Sequence, residues 1–182
     1  MEHVAKLGSW GELYVMLGTS SAALIGLLFV ATSLHVEEIV NNTIYRTLAR
    51  SSSIYLLVTL AEAACVLTPQ PVYALGIEIA VFSLVALVVV GRNFYNFLSH
   101  PDVSQHGGLR IYRGLIFIVA FLTGIAGGIA LLAGKDWALY LVTASYVVVI
   151  VAVALTAWSV MLGVGHGEKR KREERAKRGT RA

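Results

Sequence analysis

The chain alternates between long apolar runs and shorter polar connections, and five of the runs are long enough to cross a lipid bilayer. They occupy approximately residues 13–34, 51–67, 72–91, 114–134 and 137–163. A membrane-spanning helix needs about 20 apolar residues, and the bilayer offers no partner to an unpaired backbone group, so each run should be helical. The pattern predicts an all-α integral membrane protein: a five-transmembrane-helix bundle within residues 1–163, followed by a basic tail at 164–182.

The composition points to the same class of protein. Of the 182 residues, 57% are hydrophobic and 14% are charged, and eight of the fifteen lysines and arginines fall in the last fourteen positions. A soluble domain carries about 25% charged residues, distributed over its whole surface. The few charges left outside the tail could not cover such a surface, so the composition favours a membrane protein.

Motifs that bind cofactors or metals are absent from the sequence. It contains no Walker-type loop, no GxGxxG, no HExxH and no CxxC. The single cysteine, Cys65, cannot form an internal disulfide and lies in an apolar run, where we expect it to act as a small buried residue. We therefore expect neither an enzyme nor a bound cofactor.

Lysine and arginine are distributed unequally between the connections. If five spans place successive segments on alternating sides, one side collects thirteen basic residues and the other collects two, Lys6 and Lys135. The basic side of a membrane protein is usually cytoplasmic. The distribution predicts an N-terminus outside and a C-terminus inside, and without the tail the split is still five to two.

Two glutamates interrupt the apolar runs. Glu62 lies five residues before the end of the second run and Glu78 six residues after the start of the third, so at about 1.5 Å per residue both lie about 8–9 Å below one membrane surface. No run contains a lysine or arginine that could form a salt bridge with them. They could be protonated, share a proton, bind a cation or line a water-filled cavity.

Other polar residues of the second run share one helix face with Glu62. Ser52, Tyr55, Thr59 and Glu62 are spaced three, four and three residues apart. A polar face inside a membrane is expected to contact other helices or water rather than lipid. The pattern predicts an ion or proton site at Glu62, Glu78, Tyr55 and Thr59; the alternative is that protonated glutamates only hold helices together.

Small residues recur every four positions in two of the runs, a pattern that lets helix backbones approach closely. They are Gly18, Ala22 and Gly26 in the first run and Ala120, Gly124 and Gly128 in the fourth. The contacts could lie within one chain or between copies in a homo-oligomer.

The connection between the first two runs has apolar residues at helical spacing, from Val36 to Leu48. This predicts either an amphipathic helix on the membrane surface or a continuation of the first span. Histidines near acidic residues in the connections, His35 with Glu37 and Glu38 and His100 with Asp102 and His106, match no metal-binding spacing, and we expect no metal site.

The C-terminal segment HGEKRKREERAKRGTRA carries eight basic and three acidic residues. Next to a membrane, such a segment attracts anionic lipid headgroups. It could also bind a cytoplasmic protein. No aromatic platform accompanies it, so we expect no nucleic-acid binding.

The stretch from Ala22 to Leu34, AALIGLLFVATSL, resembles the first span of small bacterial polytopic inner-membrane proteins with an AAL-x-GLLFVA-x-SL pattern. Some of these proteins are labelled modulators of a membrane-bound AAA protease. The resemblance implies a bacterial inner (plasma) membrane and a regulatory role, and it implies no catalytic residue.

Two function classes follow from these patterns. In the first, the protein is an oligomeric channel or transporter-like protein with a membrane-embedded carboxylate site for protons or cations. In the second, it is a non-transporting scaffold or regulator that acts through its cytoplasmic loops and basic tail.

Overall fold

A computed structural model describes residues 10–41, 43–98, 107–135 and 137–179, and within these ranges the chain forms six helices and no strand. The helices are α1 (Gly11–Leu34), α2 (Val36–Asn41), α3 (Thr43–Leu67), α4 (Val72–Leu98), α5 (Gly107–Leu132) and α6 (Ala138–Gly179). Five of them, all except the short α2, are long and apolar enough to cross a membrane. The prediction of an all-α protein with five candidate membrane spans is confirmed.

The candidate spans begin and end within five residues of the predicted runs, and they differ most at the start of the second span and at the ends of the third and fifth, which stop at Asn96 and Trp158. The apolar part of the second span runs from Arg46 to Leu67, whereas the prediction began at residue 51. The helix α3 itself starts at Thr43, because residues 43–50 contain no glycine or proline to interrupt it.

The connection between the first two spans is not a continuation of α1, and it contains a short helix of its own. The helix α1 ends at Leu34, and the backbone of the next residue, His35, leaves the helical conformation with φ −123° and ψ 34°. Residues Val36–Asn41 form the short α2, which packs on α3 and buries Ile39. The amphipathic pattern is therefore divided between α2 and the first two turns of α3.

The bundle is organised around α3. The helix α3 packs against α1, α4 and α6, and α5 packs between α4 and α6. Two apolar clusters fill the interior, one around Tyr14, Ile79 and Val142 and the other around Leu56 and Phe121. Since α3 touches three helices, its polar face lies in the interior of the bundle.

Two short turns connect α3 to α4 and α5 to α6, and they lie at the same end of the bundle, called here the hairpin end. Pro71 directly precedes α4, and its carbonyl oxygen accepts a hydrogen bond from the Leu75 N–H, while its missing N–H leaves no helical hydrogen bond unmade. Gly134 lies in the turn between α5 and α6 and has φ +66°, a left-handed conformation that glycine adopts without steric cost.

The small residues of the fourth run pack inside the chain. A Cβ atom added to Gly128 would lie 2.8 Å from the Gly76 carbonyl oxygen and 2.9 Å from the Ala80 nitrogen, so α4 and α5 meet backbone to backbone. A Cβ atom at Gly124 would lie 2.5 Å from the Ser83 hydroxyl oxygen. Ala120 is buried in the apolar cluster around Leu56.

The small residues of the first run do not form one continuous contact. Gly18 packs on α3, where an added Cβ atom would lie 3.5 Å from the Ala63 side chain. Ala22 and Gly26 are exposed, and nothing lies within 4 Å of a Cβ atom built on Gly26. The three small residues differ in burial because the face of α1 that meets the bundle contains Gly18 and Leu28 but not Ala22 and Gly26.

The last helix is much longer than a membrane requires. The helix α6 contains 42 residues, and only Ala138–Trp158 forms its candidate membrane span. The remaining backbone continues as helix to Gly179, through all but the last three residues of the predicted basic tail. At about 1.5 Å per residue, a helix of this length is about 63 Å long, roughly twice the apolar thickness of a bilayer.

A buried carboxyl group as the candidate functional site

Glu62 lies in the interior of the bundle, on the face of α3 that meets α4 and α6. Its side chain is only 2% exposed. The Ser83 hydroxyl of α4 donates a hydrogen bond of 2.8 Å to Glu62 Oε1, and Ser83 is itself buried. A carboxyl group therefore sits where the bundle excludes solvent, with a neutral hydroxyl as its hydrogen-bond donor.

Tyr146 of α6 approaches the same carboxyl group. Its side chain is 1% exposed, and its hydroxyl is close enough to Glu62 to interact with it electrostatically. Within the described part of the chain, however, no group meets the geometry of a hydrogen bond to this hydroxyl. Buried polar groups are nearly always paired, so Tyr146 is an exception that requires a reason.

Further hydroxyl groups tie α6 to its neighbours at this level of the bundle. The Tyr14 hydroxyl lies 3.0 Å from the Thr143 hydroxyl, which joins α1 to α6. The Ser145 hydroxyl donates to the Ala120 carbonyl oxygen at 2.7 Å, which joins α6 to α5. The Tyr14 and Tyr146 rings meet edge to face, with centroids 5.7 Å apart. These contacts hold the Tyr146 ring in place beside Glu62.

Thr59 and Tyr55 occupy the predicted polar face, but their hydroxyl groups have other partners. Thr59 is buried one turn from Glu62 and donates a hydrogen bond of 2.9 Å to the Tyr55 carbonyl oxygen. The Tyr55 ring packs on Phe117 and Phe121, with centroid distances of 4.8 and 5.5 Å. Its hydroxyl is directed toward Ser51 and Asn93, away from Glu62.

Glu78 is separate from Glu62, although both were predicted at one depth. Glu78 is half-buried, and Gln70 of the turn donates a hydrogen bond of 2.7 Å to its Oε2. The Gln70 amide also donates to the Cys65 carbonyl oxygen at 3.0 Å. Glu78 therefore stabilises the turn between α3 and α4, while Glu62 reaches Ser83, five residues further along α4.

Three residues of this arrangement were not among those predicted from the sequence: Ser83, Tyr146 and Gln70. Ser83 was recognisable as the single serine or threonine between residues 72 and 91, and Tyr146 as part of the polar group Thr143, Ser145 and Tyr146 in the fifth run. Nothing in the spacing indicated that Gln70 would reach Glu78.

A small cavity lies at the opposite end of the bundle from the hairpins. It has a volume of about 20 Å³, close to that of one water molecule, and Thr32, His35, Ser52 and Thr156 provide its polar lining. Ser52 begins the polar face of α3, but it lies ten residues, or about 15 Å along the helix, from Glu62. The cavity and the carboxyl group are therefore distinct features.

Among the described residues, no three His, Cys, Asp or Glu side chains lie close enough together to hold a metal ion. His35 instead places its Nδ1 3.2 Å from the Ala31 carbonyl oxygen. His100, Asp102 and His106 lie outside the described residues.

Comparisons of this chain with protein-family models, curated proteins and solved structures found no match. The geometry around Glu62 is therefore the main guide to function.

Proposed function

We propose that the protein is a multi-pass protein of the bacterial inner membrane that carries protons or cations across it, with Glu62 as the ion-binding group. The observation behind this proposal is that the Glu62 carboxyl group is buried, 2% exposed, and that residues 51–91 around it contain no lysine or arginine. An ionisable side chain inside a membrane is costly, by about 2.5–3.5 kcal/mol on insertion scales. An ion-binding role explains why a carboxylic acid occupies this position.

The proposed orientation places the hairpin end outside and the tail inside. Thirteen of the fifteen basic residues then lie on the cytoplasmic side. Exposed aromatic residues mark both ends of the bundle, as expected at membrane interfaces. They are Tyr73, Trp137 and Tyr140 at the hairpin end and Tyr95 and Tyr112 at the other end.

A homo-oligomer is part of the same proposal. The helix α1 lies at the edge of the bundle and presents Ala22 and Gly26 on its exposed face. Small residues at a lipid-facing surface allow a second helix to approach closely. A contact between copies through α1 would extend the bundle without disturbing the interior around Glu62.

Substituting Glu62→Gln should reduce ion flux in proteoliposomes to the level of empty vesicles. Glutamine has nearly the same shape and can still accept the hydrogen bond from Ser83, but it can neither bind nor release a proton at this position. The measurement compares proton, sodium and potassium flux, driven by an imposed gradient, for the wild type and the variant.

The matched control is Glu12→Gln, which makes the same chemical change at an exposed residue in the first turn of α1. This variant should keep the wild-type flux. If the wild type carries none of the three ions, or if Glu62→Gln carries them as well as the wild type does, the proposed function is wrong.

A second candidate function is that of a scaffold or regulator, for example of a membrane protease. The observation that favours it is the continuous helix α6, which extends 21 residues beyond Trp158 and bears basic residues along its extension. A helix joined to the membrane span without a break could transmit or receive a contact with a cytoplasmic protein.

Deleting residues 167–182 tests this second function. The truncated chain should still insert and assemble in the membrane, but it should lose a protein that crosslinks to the full-length chain in cells. A truncated chain that retains the same crosslinked partner would exclude the tail as the binding element, and unchanged ion flux would separate this role from transport.

A further inference from the structure

Tyr146 provides a second, independent feature of the Glu62 site. Its hydroxyl is buried, faces the carboxyl group and has no hydrogen-bond partner among the described residues. Ser83 donates to Oε1 of Glu62, which leaves Oε2 as the carboxyl oxygen available to another partner. The proposed function leaves the nature of the ion open, and the Tyr146 hydroxyl bears directly on that question.

We infer that the ion bound at Glu62 is a proton, and that the Tyr146 hydroxyl is the group that exchanges hydrogen-bond roles with the carboxyl group when the proton binds and leaves. This inference rests on the proposed function, since it specifies the ion at the same site.

The surroundings of Glu62 favour a proton over a metal cation. Among the described residues, the groups that approach the carboxyl oxygens of Glu62 most closely are the neutral hydroxyls of Ser83 and Tyr146, and neither brings a second negative charge. Hard metal cations take six or more oxygen ligands at 2.0–2.6 Å in typical protein sites. The α5 backbone at Gly124 closes the site behind Ser83, because even one added carbon atom there would lie 2.5 Å from the Ser83 hydroxyl. A proton needs no such space.

The hydroxyl of tyrosine can both donate and accept a hydrogen bond, which suits it to both states of the carboxyl group. When Glu62 is protonated, its O–H donates to Tyr146 Oη. Release of the proton requires a water molecule to enter the site: the proton then passes to that water, the electron pair stays on the carboxylate, and the Tyr146 O–H rotates to donate to it. Ser83 donates to Oε1 in the structure, and neither step of this exchange requires that bond to break.

The other groups that face Glu62 do not compete for this role. Tyr14 of α1 interacts with Glu62 electrostatically, but its hydroxyl is paired with Thr143. Cys65 of α3 interacts with both Glu62 and Glu78, and Ser83 of α4 already donates to Glu62. Tyr146 is therefore the neighbour with an uncommitted hydroxyl.

Infrared difference spectroscopy of the reconstituted full-length protein tests the inference. A change of pH should produce a band from a protonated carboxyl group, and Glu62→Gln should remove that band. Tyr146→Phe should shift the band to higher frequency, because the protonated carboxyl group loses its acceptor, and should lower proton flux about tenfold, as expected for one hydrogen bond to a charged group. Tyr140→Phe is the matched control, since Tyr140 lies on α6 and is 66% exposed.

The second arm uses the wild-type protein, so it does not depend on the folding of a variant. At constant pH, replacing choline chloride with sodium chloride should leave the carboxyl band unchanged. Loss of the band on addition of sodium would show that a metal cation displaces the proton. A band frequency that is the same in Tyr146→Phe and in the wild type would exclude the tyrosine as its hydrogen-bond partner. Either result overturns the inference. Failure of the proposed transport function can be told apart from failure of this inference. If the transport function is wrong, ion flux is the same in Glu62→Gln as in the wild type, while the pH-dependent band still disappears in that variant.

Discussion

Replacing Gly128 with leucine is expected to prevent the membrane bundle from assembling, whereas replacing Gly26 with leucine should leave the fold of the single chain intact. A Cβ atom at Gly128 would lie 2.8 Å from the Gly76 carbonyl oxygen, 2.9 Å from the Ala80 nitrogen and 3.0 Å from the Ala80 Cβ. Two of these atoms are backbone, so they can move only if α4 and α5 separate. Around Gly26 nothing lies within 4 Å of the added atom.

The size of the effect follows from the contact that is lost. Overpacking a core typically costs about 1–3 kcal/mol and can cost more, and Gly128→Leu adds a large side chain between two backbones, so we expect a loss of at least about 3 kcal/mol. Unfolding of the purified chain in detergent, followed by circular dichroism during titration with a denaturing detergent, measures it. Wild-type stability in Gly128→Leu would mean that α4 and α5 do not meet as described.

The Gly26 control also reports on assembly. If copies of the chain meet through the exposed face of α1, Gly26→Leu should reduce the oligomeric mass while the fold of each chain persists. An unchanged oligomeric mass in this variant would exclude Gly26 from the contact between copies.

Gly124→Ala is expected to impair the carboxyl site without altering any residue that touches Glu62. The new methyl group would lie 2.5 Å from the Ser83 hydroxyl oxygen and 3.2 Å from the Ser145 hydroxyl oxygen. Ser83 must then turn away, and its hydrogen bond to Glu62 is lost. We expect ion flux to fall about tenfold and stability to fall by about 1–3 kcal/mol, the cost of leaving a buried acceptor unpaired.

A double substitution separates the steric effect from the functional one. Adding Ser83→Ala to Gly124→Ala removes the hydroxyl that the methyl group meets, so the double variant should be about as stable as Ser83→Ala alone, and flux should stay low because Glu62 still lacks its donor. Gly91→Ala is the matched control, because nothing lies within 4 Å of a Cβ atom at Gly91. Full recovery of flux in the double variant would show that the Ser83 hydrogen bond does not matter for transport.

Several elements of the candidate site could be predicted from the sequence, and others could not. The burial of Glu62 and Thr59 on one face of α3 followed from their spacing, because a helix turns each residue by a constant angle. The partners of that face were not predictable in the same way. Matched depth suggested Glu78 as the neighbour of Glu62, yet Ser83 donates to Glu62 and Gln70 donates to Glu78.

The two stripes of small residues show the same limit. Both have a residue every four positions, yet Gly124 and Gly128 lie against neighbouring helices while Gly26 faces outward. Periodicity identifies a face of a helix, but the number of helices that cover that face depends on the position of the helix in the bundle. Here α5 packs closely on both α4 and α6, whereas α1 packs mainly on α3 and is the least buried of the five candidate spans.

The sequence by itself determined the five apolar helices and the presence of an uncompensated carboxyl group among them, because hydropathy, length and the absence of nearby lysine or arginine are properties of each segment alone. The tertiary structure alone decided which hydroxyl groups meet that carboxyl group. The pairing of Glu62 with Ser83 and its approach to Tyr146 depend on the rotation of α4 and α6 about their axes and on their register against α3. Both are set by side-chain packing between segments that are distant in the chain.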